Sequence, residues 1–345
     1  MNSNNVLEKL GIIHQSLGDY SRAIEYFQQH LSIAYEIGDR QSQGNALGNL
    51  GVVYQSLGDY SRAIEYFQQH LSIAREIGDM ESYGNALGNL GITYQAQGHY
   101  NEAEVLYKQV LELRRRLLGE AHPNVATSLN NLAYLYYLQG RYNEAEPLYM
   151  KGIQLMQSLV GEEHADVATS LNNLAALYES QGRHTEAEPL YIKALSLRQR
   201  LLGEEHPDVA SSFNNLAALY ESQGRHTEAE PLYIKALSQL QRLLGEQHPD
   251  VASSYNNLAA LYESQGRYTE SEPLYVKALS LRQRLLGEEH PDVASSYNNL
   301  ANLYKSQGRY TEAELLYIKA LELRQRLLGE EHPSVASSYN NLAAK

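Results

Sequence analysis

Apolar positions recur along this chain at helical spacing, in pairs of blocks divided by a glycine. Ahead of Gly58, residues Leu47, Leu50, Gly51 and Tyr54 fall at i, i+3, i+4 and i+7, the spacing of one helical face. Behind it, Ala63, Phe67 and Leu71 follow four apart. A chain that leaves one helix for an adjoining one needs a corner residue tolerant of positive φ, and Gly58 supplies it. The same mark returns at Gly18, Gly58, Gly98, Gly140, Gly182, Gly224, Gly266 and Gly308, with spacings of 40, 40 and then 42 residues. Each interval reads as a helical hairpin whose apolar face the next hairpin must cover. The expected fold is all-α, an α-solenoid of eight hairpins and a partial ninth. It forms a single array over residues 1–345, with 40-residue units to about residue 120 and 42-residue units from about 121.

The later units also carry boundary signals. Thr227 to Glu230 reads as a capping box that opens a second helix, with Pro231 still in its first turn, where proline costs little. That helix should end at Gly245, and Pro249 suits the opening turn of the next.

These residues carry a family resemblance. Leu47-x-x-Leu50-Gly51-x-x-Tyr54 followed by Ala63-x-x-x-Phe67 resembles the tetratricopeptide repeat, a 34-residue unit. The resemblance implies a right-handed superhelix. The family's late proline is missing, and the extra residues of each unit point to a longer second helix. The 42-residue units, such as residues 171–210, resemble kinesin light chain repeats. The 40-residue units, such as residues 44–79, resemble spindle-orientation adaptors of the Partner-of-Inscuteable type. The fold that this implies is specific; the function is less so, because such arrays serve many pathways.

An asparagine recurs at one position of the first helix: Asn49, Asn89, Asn131, Asn173, Asn215, Asn257, Asn299 and, in the partial unit, Asn341. In the resembled family this position faces the concave groove and holds a peptide backbone. One amide both donates and accepts, so it can pair with a main chain of any sequence. The other role open to it is a bond to the neighbouring hairpin. A second asparagine precedes it only in the 42-residue units; Gly48 and Gly88 stand there earlier, which suggests a barer groove wall. Further groove positions hold Glu179, Glu221 and Glu263, where kinesin light chains tend to carry Lys or Arg; only Lys305 reverses the sign. A neutral or basic ligand is therefore expected over an acidic one. One unit has Tyr134, Tyr137 and Leu138 in place of alanine, glutamate and serine, which suggests anchor points for a ligand side chain as well as simple drift.

Composition narrows the classes. The chain has no cysteine, which removes thiolate metal sites and cysteine nucleophiles. A formal charge of −13 lacks the basic footprint of a nucleic-acid binder and opposes an anionic membrane surface. No leader or membrane-length apolar run is evident, so a cytoplasmic protein is expected. His122, His164, His206, His248, His290 and His332 lie a repeat apart and cannot close on one metal ion, so they read as loop structure. No nucleophile–base–orienter set is visible. The expectation is a non-catalytic, cofactor-free scaffold that binds a protein or peptide. A ligand-sensing segment of a larger protein is the alternative, as is self-stacking through the open C-terminal half-repeat, where Tyr339 and Leu342 await a partner helix.

Overall fold

A computed structural model describes residues 3–343, which contain seventeen helices and no strand. They divide into two compact units, one ending at Glu120 and one beginning at Ala121. The first unit holds α1 (Ser3–Ser16), α2 (Tyr20–Glu36), α3 (Arg40–Ser56), α4 (Tyr60–Ile77), α5 (Met80–Ala96) and α6 (Tyr100–Leu118). The second holds α7 (Pro123–Leu138), α8 (Tyr142–Val160), α9 (Ala165–Ser180), α10 (His184–Leu202), α11 (Pro207–Ser222) and α12 (His226–Leu244). It continues with α13 (Pro249–Ser264), α14 (Tyr268–Leu286), α15 (Pro291–Ser306), α16 (Tyr310–Leu328) and α17 (Pro333–Ala343). Odd-numbered helices open each hairpin and are called A helices; even-numbered ones close it and are called B helices. Within each unit every helix packs on its sequence neighbours, and successive A helices also touch.

The corners follow from the glycines. Gly224 adopts φ 72° and donates to the carbonyl of Glu221, while Arg225 N–H donates to the carbonyl of Tyr220 at 2.8 Å. Such a left-handed glycine closes the last carbonyls of a helix without steric penalty. The hairpin core is built from alanines against aromatic rings. Ala217, Ala229 and Ala236 are fully buried beside Tyr233, and Gly51 lies under the ring of fully buried Phe67.

Two expectations fail. Helix α12 begins at His226 with Arg225 as its N-cap residue, and no side chain caps it. Thr227 is exposed, and Pro231 lies inside the helix, beyond its first turn. The expected box is undone because its carboxylate is engaged elsewhere: Glu230 accepts from Tyr262 and from Arg267 of the next hairpin. The glycine at Gly48 does not bare a groove wall either. It is buried, and a Cβ there would come within 2.9 Å of His70 Nδ1, so the imidazole fills the space. Gly88, with nothing within 4 Å of an added Cβ, does leave open space.

Candidate interaction surface on the A helices

In the second unit the A helices meet along a seam, and the expected site residues lie on it. Asn215 donates to Asn172 Oδ1 at 2.8 Å, and Asn299 donates to Asn256 Oδ1 at 2.8 Å, each linking one A helix to the one before. Lower on the same helices, Tyr137 and Ser180 share a 3.0 Å hydrogen bond, and Ser306 donates to Glu263 at 3.3 Å. The whole ladder, Asn49, Asn89, Asn131, Asn173, Asn215, Asn257 and Asn299, is half-buried. Asn215 and Asn299 are thus engaged between hairpins, whereas Asn173 and Asn257 have no such bond. In the first unit Gln55 and Thr93 make the comparable link from α3 to α5 at 3.1 Å.

The glutamates stand one level above a tyrosine of their own hairpin. Tyr191, Tyr233 and Tyr275 donate to Glu179, Glu221 and Glu263 at 2.8, 2.8 and 2.9 Å. Burial pushes all three carboxyls up from the ordinary glutamate value, and the tyrosine hydroxyls oppose this only in part. One hairpin lacks the arrangement. Tyr137 replaces the glutamate, so the hydroxyl of fully buried Tyr149 has no acceptor. Above it Tyr134 and Tyr137 stack at 5.8 Å, with Tyr134 42% exposed and Leu138 38% exposed. Lys305 lines a separate recess with Tyr310, Tyr317, Asn341 and Leu342.

Titration should separate the two units. In the first, His30 and His70 are buried and burial lowers both imidazoles; neither nitrogen of His70 has a partner. A depressed histidine contributes stability above its unfolded value that is lost as pH falls. The raised glutamates of the second unit act oppositely: their charged form is the costly one, so protonation relieves it. Lowering pH from about 7 to about 5 should therefore weaken amide protection in α2–α5 and strengthen it in α9–α14. Hydrogen exchange at the two pH values, corrected for intrinsic rate, checks the sign in each unit. A common sign in both would contradict this account.

A second network fastens hairpin to hairpin, and its sequence signal went unread. The helix-ending glycine sets Arg225 over the ring of Tyr220 at 3.9 Å. Its guanidinium then reaches Glu188 of the preceding B helix at 2.9 Å and Glu228 of its own. Tyr220 donates to the same Glu188. Arg183, Arg267 and Arg309 repeat this clip. The paired carboxylates hold each guanidinium firmly charged. The signal was the Tyr…Gly-Arg…Glu-x-Glu spacing, which is visible in sequence but has meaning only once hairpins stack. The six histidines also gain a role: each lends Nδ1 to the backbone N–H two residues on and caps the next A helix, as His206 does for Asp208 at 3.2 Å.

A family model described as the tetratricopeptide repeat matches residues 2–76, 82–158, 166–237, 208–270, 250–317 and 298–344. The chain belongs to the tetratricopeptide repeat family. The array is an interaction-repeat scaffold of a generally non-catalytic family. No curated protein matches it. Among solved structures it is similar to BtubC (BKLC) from P. vanneervenii, at 31% identity and TM-score 0.54 over 67% of this chain and 92% of that one. A Podosopora anserina putative kinesin light chain with nearly identical TPR-like repeats is 26% identical, with TM-score 0.49 over 59% of this chain and 97% of that one. A Rap protein in complex with competence and sporulation factor shares 14% identity at TM-score 0.57 over 100% of this chain and 98% of that one, a likeness of fold. Among the described residues of the array, no cluster of three or more His, Cys, Asp or Glu could hold a metal ion, and no helix is long and apolar enough to cross a membrane.

Proposed function

We propose that this tetratricopeptide array binds an extended protein or peptide segment, neutral or basic in character, along the A-helix seam of residues 121–343. The observation that carries the reading is the stacked pair Tyr134–Tyr137, with Tyr134 exposed and Tyr137 half-buried, on a seam that also carries Asn, Glu and Ser. Aromatic side chains give large contact area at low entropic cost and anchor ligands more often than any other type. The adjoining Glu179 and Glu221 keep one negative face toward the ligand, which disfavours an acidic partner by like-charge repulsion. Glu263, farther from the anchor, would steer rather than hold. Burying one apolar ligand side chain yields about 2 kcal/mol. Net backbone hydrogen bonds add ~1 kcal/mol each. Against the cost of association these give micromolar affinity.

The test is selection of a displayed random-peptide library on the full chain beside Tyr134→Ala and Tyr137→Ala. Loss of the anchor should weaken captured peptides by about tenfold, the equivalent of 1.4 kcal/mol, with helicity unchanged. Peptides that bind parent and variants equally, or a selection enriched in Asp and Glu, would defeat the reading. A Rap protein of similar fold, solved in complex with competence and sporulation factor, supports ligand binding by such an array.

A further inference from the structure

In the second unit the loop that opens a hairpin is tied by ion pairs to the B helix that closes it, and one hairpin breaks the rule. Arg200 of α10 reaches Glu163 at 2.7 Å, Arg242 of α12 pairs with Glu205, and Arg326 of α16 reaches Glu289 at 3.1 Å. Both positions recur every 42 residues, so the partner of Arg284 on α14 falls at residue 247. That residue is Gln247, and among the described residues Arg284 pairs with no carboxylate. The lysine two turns earlier on the helix has lost its partner as well. Lys193 and Lys235 reach Glu162 and Glu204 at 3.3 and 3.6 Å. Lys277 makes no such pair and lies 5.4 Å over the ring of Tyr255, while Glu246 accepts from Gln241 at 3.3 Å.

Both cations line one recess of about 310 Å³ between the α12–α13 loop and α14, together with Glu246, Gln247, Val276 and Tyr255. Arg284, Lys277, Gln247 and Val276 are exposed, and Tyr255 is buried. Two cations against Glu246 leave the recess with one positive charge, in a chain whose formal charge is −13. At α10 the same four positions cancel, Lys193 and Arg200 against Glu162 and Glu163. We propose that this recess binds a carboxylate of a protein partner's acidic segment, which takes at Arg284 the place that Glu163, Glu205 and Glu289 hold at the other arginines. A guanidinium meets a carboxylate through two parallel hydrogen bonds, and the Lys277 ammonium adds charge without a directional demand. Val276 offers an apolar wall for the residue beside the carboxylate. The site is independent of the A-helix seam and opposite to it in charge preference. One exposed ion pair is weak, so the affinity is on the order of millimolar. Such a contact selects among partners held elsewhere on the same array, where tethering raises its effective concentration.

The test uses the full chain, 15N-labelled at arginine, titrated with a capped pentapeptide that carries one glutamate between leucines, beside its glutamine counterpart. The Arg284 Nε–H signal should shift saturably with the glutamate peptide and stay in place with the glutamine one, while Arg200, Arg242 and Arg326 do not respond. Gln247→Glu should supply the missing partner and weaken the peptide by about fivefold, the upper range for one exposed ion pair. Glu205→Gln should do the reverse and open the equivalent site at Arg242. Both substitutions sit at exposed loop positions, so the hairpins remain folded. Tyr134→Ala should leave the titration unchanged, which keeps this result separate from that of the seam. Equal shifts at all four arginines, or a shift at Arg284 that Gln247→Glu leaves intact, overturn the proposal. A response equal for the two peptides overturns it as well, since it would owe nothing to the carboxylate, and so does silence at Arg284 with peptide far above the millimolar range.

Discussion

Replacing Phe67 with alanine is expected to lower the stability of the unit ending at Glu120 by about 3–5 kcal/mol, the range for deleting a buried aromatic side chain. The ring is 0% exposed and packs in one cluster with Ala23, Phe27, Leu50, Val53, Tyr54 and Leu90, which reaches from α2 to α5. In a repeat array each hairpin is held chiefly by its neighbours, so the loss should spread through α2–α5 and leave α9–α16 unaffected. Hydrogen exchange resolved by helix checks both size and reach. The reciprocal substitution, Gly51→Ala, meets the same ring from below: the added Cβ would lie 2.5 Å from Phe67 Cε1. Alanine gains about 1 kcal/mol of helix propensity over glycine, but overpacking a filled core costs ~1–3 kcal/mol. A net loss is expected because the fully buried ring has nowhere to withdraw. If the double variant Gly51→Ala, Phe67→Ala is more stable than Phe67→Ala alone, the steric account is right; equal added loss in both backgrounds would refute it.

What the sequence disclosed and what it withheld divide along one line, the distance over which a signal acts. The hairpin corners were legible because Gly58 and Gly224 act on the residues beside them, and both take the expected positive φ. The opening of α13 at Pro249 was legible for the same reason. The start of α12 was misjudged because Thr227 and Glu230 satisfy a local capping pattern, while the actual partners of Glu230, Arg267 and Tyr262, lie in the next hairpin. Gly48 misled in a similar way, since what fills its missing side chain is His70 from the next helix. The asparagines were legible as a ladder, yet which of them bonds to the hairpin before it turns on a B-helix residue, since Arg198 donates to Ser212 whereas Leu240 leaves Ser254 to Asn214. Periodicity reports which positions face inward; it carries no record of which inward groups compensate one another.

Glu221 gives the second large effect, because it stands where burial and hydrogen bonding oppose each other. Glu221→Ala is expected to cost about 1–3 kcal/mol by leaving the Tyr233 hydroxyl, 3% exposed, without its acceptor. Glu221→Gln should cost far less, since its carbonyl oxygen can still accept from the tyrosine while the half-buried charge is gone. Burial raises the Glu221 carboxyl, and the tyrosine hydroxyl and His226 pull it only partway back. The carboxylate thus loses at neutral pH part of what the hydrogen bond contributes, and the glutamine variant should hold its stability as pH rises from about 5 to about 8 where the parent declines. The array contains its own control. At Tyr149 the acceptor is already missing, because Tyr137 stands in the place of the glutamate. Tyr149→Phe should therefore stabilise by about 1 kcal/mol, while Tyr233→Phe should destabilise, since it strips Glu221 of its donor. Urea denaturation of the four variants separates the terms. If Glu221→Ala and Glu221→Gln prove equally costly, the charge rather than the hydroxyl's acceptor is what this position supplies, and the glutamates of the seam are kept for a ligand rather than for the hairpin.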